Sequence, residues 1–180
     1  IISPEKIISK AREIREKEKS YRIENEHFHH TFASNVKAQS RWPNSKPYLT
    51  CTDKFGFRIS CIEKNNEKKN NKNIVFIGDS VTEGLGLDYE KIFIGMLNDY
   101  SENDIINMGV SSYSPIIYLK KIEYFVLKGL NIDHVVAFID ISDIDDEASN
   151  YYECEDSNNV CVYSWHNQSN INPIKKKEEN

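Results

Sequence analysis

The chain has 180 residues, of which 39% are hydrophobic and 28% charged, which suits one soluble globular domain rather than a disordered or fibrous chain. Its formal net charge of −5 speaks against sequence-independent nucleic-acid binding, which needs a basic footprint. The longest apolar runs, Ile74–Ile77 and Val135–Ile139, are strand-sized and far below the ~20 residues of a membrane helix. The first residue is Ile1 rather than Met, so the chain reads as a piece of a longer product, and any membrane anchor would lie outside it.

Ser3-Pro4-Glu5 reads as a helix start, with Ser at the N-cap and Pro at the first helical position. Ile7, Ala11 and Ile14 then form a narrow apolar stripe on a peripheral helix. Residues 48–61 read as a hairpin whose turn is signalled by Asp53 and Gly56, and a symmetrical register would bring Cys51 close to Cys61. Residues 63–73 contain no apolar side chain and form a polar linker loop. The expected organisation is therefore an N-terminal helix-and-hairpin extension over 1–62, the linker over 63–73 and an α/β domain over 74–180.

From Asn73 onward, strands and helices alternate. Asn73–Gly78, Ile105–Gly109 and His134–Asp140 read as buried strands, and Tyr89–Tyr100 and Pro115–Leu130 as helices. Unbroken apolar strands separated by helices predict right-handed crossovers onto a parallel sheet covered on both faces, a three-layer α/β/α sandwich of flavodoxin-like type. The acid-rich stretch 140–156 reads as a solvated loop, and Val160–Tyr163 as a short strand. Tyr113, Tyr151, Tyr152 and Trp165 are suited either to stacking on a sugar ring or to filling a small core.

Ligands of open parallel sheets bind at the carboxyl ends of the strands. The three strands exit into Gly78-Asp79-Ser80-Val81-Thr82-Glu83-Gly84, Gly109-Val110-Ser111-Ser112 and Asp140-Ile141-Ser142-Asp143. Gly78 permits a sharp turn that presents the Ser80 hydroxyl as a nucleophile and its N–H as an oxyanion donor. Gly109 lets a second backbone N–H approach, and Ser142 offers a side-chain donor. The first exit lacks a Gly-rich phosphate cradle, which disfavours a nucleotide binder.

These exits resemble the blocks of the SGNH/GDSL hydrolases. Gly78-Asp79-Ser80 is similar to their first block and Asn107-Met108-Gly109 to their second. Asp140-Ile141-Ser142-Asp143 stands where the family carries Gly-x-Asn-Asp. Phe55-Gly56-Phe57-Arg58 is similar to a segment preceding the domain in bacterial members linked to envelope polysaccharides. The resemblance implies a serine esterase or O-acyltransferase with Ser80 as nucleophile, acting on an O-acyl ester. Acetyl is the expected acyl group, and an envelope carbohydrate is a candidate alcohol. It implies Ser80, Gly109 and the position of Ser142 as oxyanion donors, and no cofactor.

The chain departs from that pattern at two places. Ser142 replaces the family's Asn, and no Asp-x-x-His follows Ser80. The domain therefore reads as truncated before the family's last block, with the base unassigned and expected beyond residue 180. The chain alone is expected to be poorly active. His134 opens its strand at the wrong end of the sheet, and His166 has no Asp three residues before it. The alternative reading is a carbohydrate-binding relative that lacks the base. No metal site is expected: His27, His29 and His30 cluster without a Cys or carboxylate at ligand spacing, and the acids follow no calcium-loop pattern. The cysteine pairs Cys51/Cys61 and Cys154/Cys161 suit either four free thiols or two local disulfides in an exported protein, with the periplasm or envelope favoured.

Overall fold

The computed structural model describes residues 9, 18–42, 46–63, 72–155 and 159–162. Most of the expected helix at the N-terminus, most of the polar linker, Trp165 and His166 lie outside these residues. Two antiparallel strands come first, β1 (Arg22–Asn25) and β2 (His29–Phe32), with Arg22 opposite Phe32. The Asn25 side chain closes their turn by accepting the N–H groups of His27 and Phe28.

Next come β3 (Lys37–Ser40), β4 (Tyr48–Thr52) and β5 (Arg58–Ile59). The expected hairpin is present: β4 and β5 pair antiparallel, and Asp53 Oδ1 accepts the N–H groups of Phe55 and Phe57 across the turn. Its register sets Cys51 opposite Ile59, and a disulfide joins Cys51 to Cys61 with the Cα atoms 5.2 Å apart.

The remaining strands of the main sheet are β6 (Asn73–Ile77), β7 (Asp104–Asn107) and β8 (His134–Ala137). They pair parallel in the order β7-β6-β8. The full sheet has six strands in the order β3-β4-β5-β7-β6-β8 and is mixed rather than parallel throughout, because Arg58 of β5 pairs antiparallel with Asn107 of β7. Strands from both sides of the polar linker thus share one sheet.

The described residues contain four α-helices: α1 (Ser80–Glu83), α2 (Phe93–Tyr100), α3 (Pro115–Leu127) and α4 (Ile141–Ser149). None is long and apolar enough to cross a membrane. The helix expected over Tyr89–Tyr100 is divided: a 3-10 turn at Tyr89–Lys91 precedes Ile92, whose extended backbone (ψ 154°) interrupts it before α2 begins. Helix α3 stops as expected near Gly129, where the Leu130 N–H reaches Phe125 O and the Gly129 N–H reaches Val126 O.

The acidic stretch is not a loop. Asp140 caps α4 by accepting the Ser142 and Asp143 N–H groups, and the Asp143 carboxylate accepts the Asp140 N–H in return. This reciprocal box satisfies helix-start donors with two acids. Beyond α4, β9 (Tyr151–Glu153) pairs antiparallel with β10 (Val160–Val162), and a second disulfide joins Cys154 to Cys161.

Strand β6 distributes the core. Val75 and Ile77 enter a cluster with Tyr21, Phe28, Phe32, Phe57, Met108 and Phe125, whereas Phe76 enters a second cluster with Tyr89, Ile92 and Ile94. Tyr113 and Tyr151 are buried in the first cluster, so they fill core, while Tyr152 is exposed.

Candidate active site

The three parallel strands release their chains toward one place. At the end of β6, a Cβ on Gly78 would stand 2.1 Å from Thr82 Oγ1 and 3.0 Å from Phe138 O, so only glycine lets α1 fold back this tightly. Asp79 caps α1: its Oδ1 accepts the Val81 N–H at 2.9 Å, and its Oδ2 accepts the Ser80 hydroxyl at 2.9 Å. Ser80 is half-buried and opens the helix, where first-turn N–H groups have no intrahelical acceptor.

The exit of β7 lies directly against α1. Buried Asn107 donates from Nδ2 to Thr82 O at 3.0 Å and accepts the Gly109 N–H on Oδ1 at 2.9 Å. A Cβ on Gly109 would come within 2.7 Å of Glu83 N, so the glycine permits this contact. The Gly109 N–H is therefore occupied by Asn107 in this arrangement, and the Val110 N–H by Gly78 O. From sequence, Gly109 is expected to matter for its N–H. The structure shows its missing side chain at work.

The exit of β8 meets the other side. Carboxylate oxygens of Asp79, Asp140 and Asp143 lie within 4.8 Å of one another, a spacing that a cation would accept. The sequence shows no such pattern because these acids come from two separate strand ends. Burial pushes the Asp143 carboxyl up, whereas hydrogen bonds from Ser142 hold Asp140 down. Ser142 itself is exposed, and its hydroxyl donates to Asp140 Oδ1 at 2.5 Å, so this side chain serves the helix cap.

Histidines stand elsewhere. His134 is exposed at the start of β8, level with Ile74 and so at the amino end of the parallel strands. His29 and His30 contact each other through their Nδ1 atoms at 2.7 Å, and burial pushes His30 down to about 4.

Two arginines that sequence spacing does not reveal hold the segment after Ser80. Arg58, almost fully buried, donates to Gly84 O at 2.7 Å and to the carbonyls of Glu83 and Leu87, capping the C-terminal end of α1 with positive charge. Arg22 forms a two-pronged ion pair with Glu83, at 2.6 and 3.0 Å. Their partners lie 25 to 61 positions away along the chain, beyond the reach of any local signal. A scan against protein-family models and a comparison with curated proteins each found no match to the chain.

Proposed function

We propose that this chain is a serine-dependent esterase or O-acyltransferase that forms an acyl-enzyme on Ser80. The observation that carries the reading is the convergence of three parallel-strand exits around a serine at a helix start. In the proposed reaction the Ser80 oxygen attacks the acyl carbonyl, its proton passes to a base, and the alcohol departs with a proton. Water or an acceptor hydroxyl then releases the acyl group. In this reading the Ser80 N–H, at the start of α1, is the first oxyanion donor. The Gly109 N–H joins it only if Asn107 releases it.

The parallel strands β7-β6-β8, with apolar clusters drawn from alternate residues of β6, support a three-layer arrangement of the SGNH type for this part of the chain. The two disulfides favour an oxidising compartment, in keeping with an envelope ester as substrate. One observation favours a second reading, a carbohydrate-binding module without turnover: the acceptor of the Ser80 hydroxyl is Asp79, not an imidazole.

A fluorophosphonate probe separates the two. Labelling of the wild-type chain at Ser80, lost in Ser80→Ala together with its slow p-nitrophenyl acetate hydrolysis, is the outcome expected of the enzyme. An unlabelled wild type, or equal labelling of both proteins, removes Ser80 from the chemistry.

A further inference from the structure

The N-terminal hairpin β1–β2 holds the second strand exit directly through His30 and, through Arg22, by way of the Glu83 carboxylate of α1. We propose that Arg22 and Glu83 are positioning residues that, with His30, fix the N–H and the carbonyl of Ser111 and so set the loop 109–112 against the nucleophile helix. The proposal rests on the reading of Ser80 as a nucleophile.

Glu83 is buried at the end of α1, three residues after Ser80. Its Oε2 accepts the Ser111 N–H at 2.7 Å, while both of its oxygens take the Arg22 guanidinium. Glu83 thereby joins the first and second strand exits through one carboxylate. Arg22 is held in turn by Glu18 at 3.3 Å and lies over the Phe32 ring at 4.7 Å, so its fork is oriented before it meets Glu83.

The carbonyl of the same residue, in the next peptide unit, is held by β2. His30 Nε2 lies 2.8 Å from Ser111 O. A carbonyl only accepts, so Nε2 carries the hydrogen and His30 Nδ1 accepts from His29 Nδ1. The Tyr113 hydroxyl donates to His30 O at 2.6 Å, which ties the loop's far end to the same strand. Between these anchors Ser112 adopts φ +63°, a left-handed conformation that a non-glycine residue rarely holds without support.

A donor or substrate wall displaced by about 1 Å is enough to cost about 100-fold in rate. The clamp is therefore expected to act on the chemical step more than on ligand capture. The test uses the whole chain with Arg22→Lys, which keeps the charge but loses the fork, and Glu83→Gln, which keeps an acceptor but loses the charge. Two quantities are read: inactivation of Ser80 by a fluorophosphonate, resolved into a maximal rate and a half-saturating concentration, and amide hydrogen exchange over residues 109–113.

Both variants are expected to lower the maximal rate about 10- to 100-fold with the half-saturating concentration within about twofold, and to speed exchange at Ser111 while the melting temperature shows them folded. Wild-type exchange at Ser111 in both variants overturns the clamp. Faster exchange with an unchanged inactivation rate overturns its positioning role. A wild type that is not labelled overturns the esterase reading and the positioning role together, and the exchange data then report on the clamp alone.

Discussion

Lys121 is the charged side chain most fully enclosed by the apolar core. Its ammonium donates to Met108 O and to the Tyr113 hydroxyl, both at 3.0 Å, and faces the rings of Phe28, Phe57 and Tyr113. Burial pushes it down to about 7, against partial support from Glu83 and Asp53. The unfolded chain keeps this proton up to about 10.5. Between the two values the unfolded state binds the extra proton, so folding stability rises with pH across that window. The limiting slope for one such group is about 1.4 kcal/mol per pH unit. Urea titrations from pH 7 to 9 should show the wild type gaining stability relative to Lys121→Met as pH rises. Parallel pH profiles for the two proteins would mean that Lys121 stays charged when folded. His30 acts with the same sign in acid: its buried imidazole resists protonation until about pH 4, so stability falls as pH drops below about 6.5. From sequence, Lys121 reads only as one position of an amphipathic helix, since its enclosure also needs the rings of Phe28 and Phe57, more than sixty residues away.

Among the elements, those with local signals were readable. The apolar run of β6 and the Pro115 start and Gly129 stop of α3 all lie within a few residues of the structure they specify. So does the turn at Asp53, but no local signal encodes the pairing of its hairpin with β7. Helix α4 escaped because its start uses Asp140 and Asp143, which resemble a solvated charge run, and because Ile141 and Ile144 remain exposed. The break at Ile92 escaped because Gly95 leaves room for the Tyr89 carbonyl, a contact that periodicity does not encode. The disulfides belong to this scale, since each ties neighbouring strands: Cys51 lies in β4, and Cys161 in β10 bonds Cys154 just beyond β9. Their spans of 10 and 7 positions correspond to about 2–3 kcal/mol each in the chain-entropy account. Non-reducing peptide mapping of protein made in an oxidising compartment should recover both pairs, with a lower melting temperature after reduction. Four alkylatable thiols in that protein would overturn the pairing.

At the scale of the molecule, the two sides of the polar linker are one folding problem. Read from composition, residues 1–62 are an extension beside a domain that starts at 74. In the structure, Tyr21, Phe28, Phe32 and Phe57 from the first part share a core cluster with Val75, Ile77, Met108 and Val110 from the second. Burying a large apolar side chain contributes about 1.5–3 kcal/mol. Four such rings therefore amount to roughly 6–12 kcal/mol, comparable to the ~5–15 kcal/mol by which a domain is stable at all. Removing them also takes away Arg58, leaving the Gly84, Glu83 and Leu87 carbonyls without their donor, and exposes the β7 edge that β5 covers. A chain reduced to residues 72–180 is therefore expected to lose its cooperative thermal transition and its near-ultraviolet circular dichroism, and with them labelling at Ser80. Adding residues 18–63 back as a separate chain should restore some of the signal only at high concentration, because loop closure no longer favours the association. A 72–180 fragment that melts cooperatively within a few degrees of the full chain would show instead that β6 onward folds by itself and that the first five strands are an attachment.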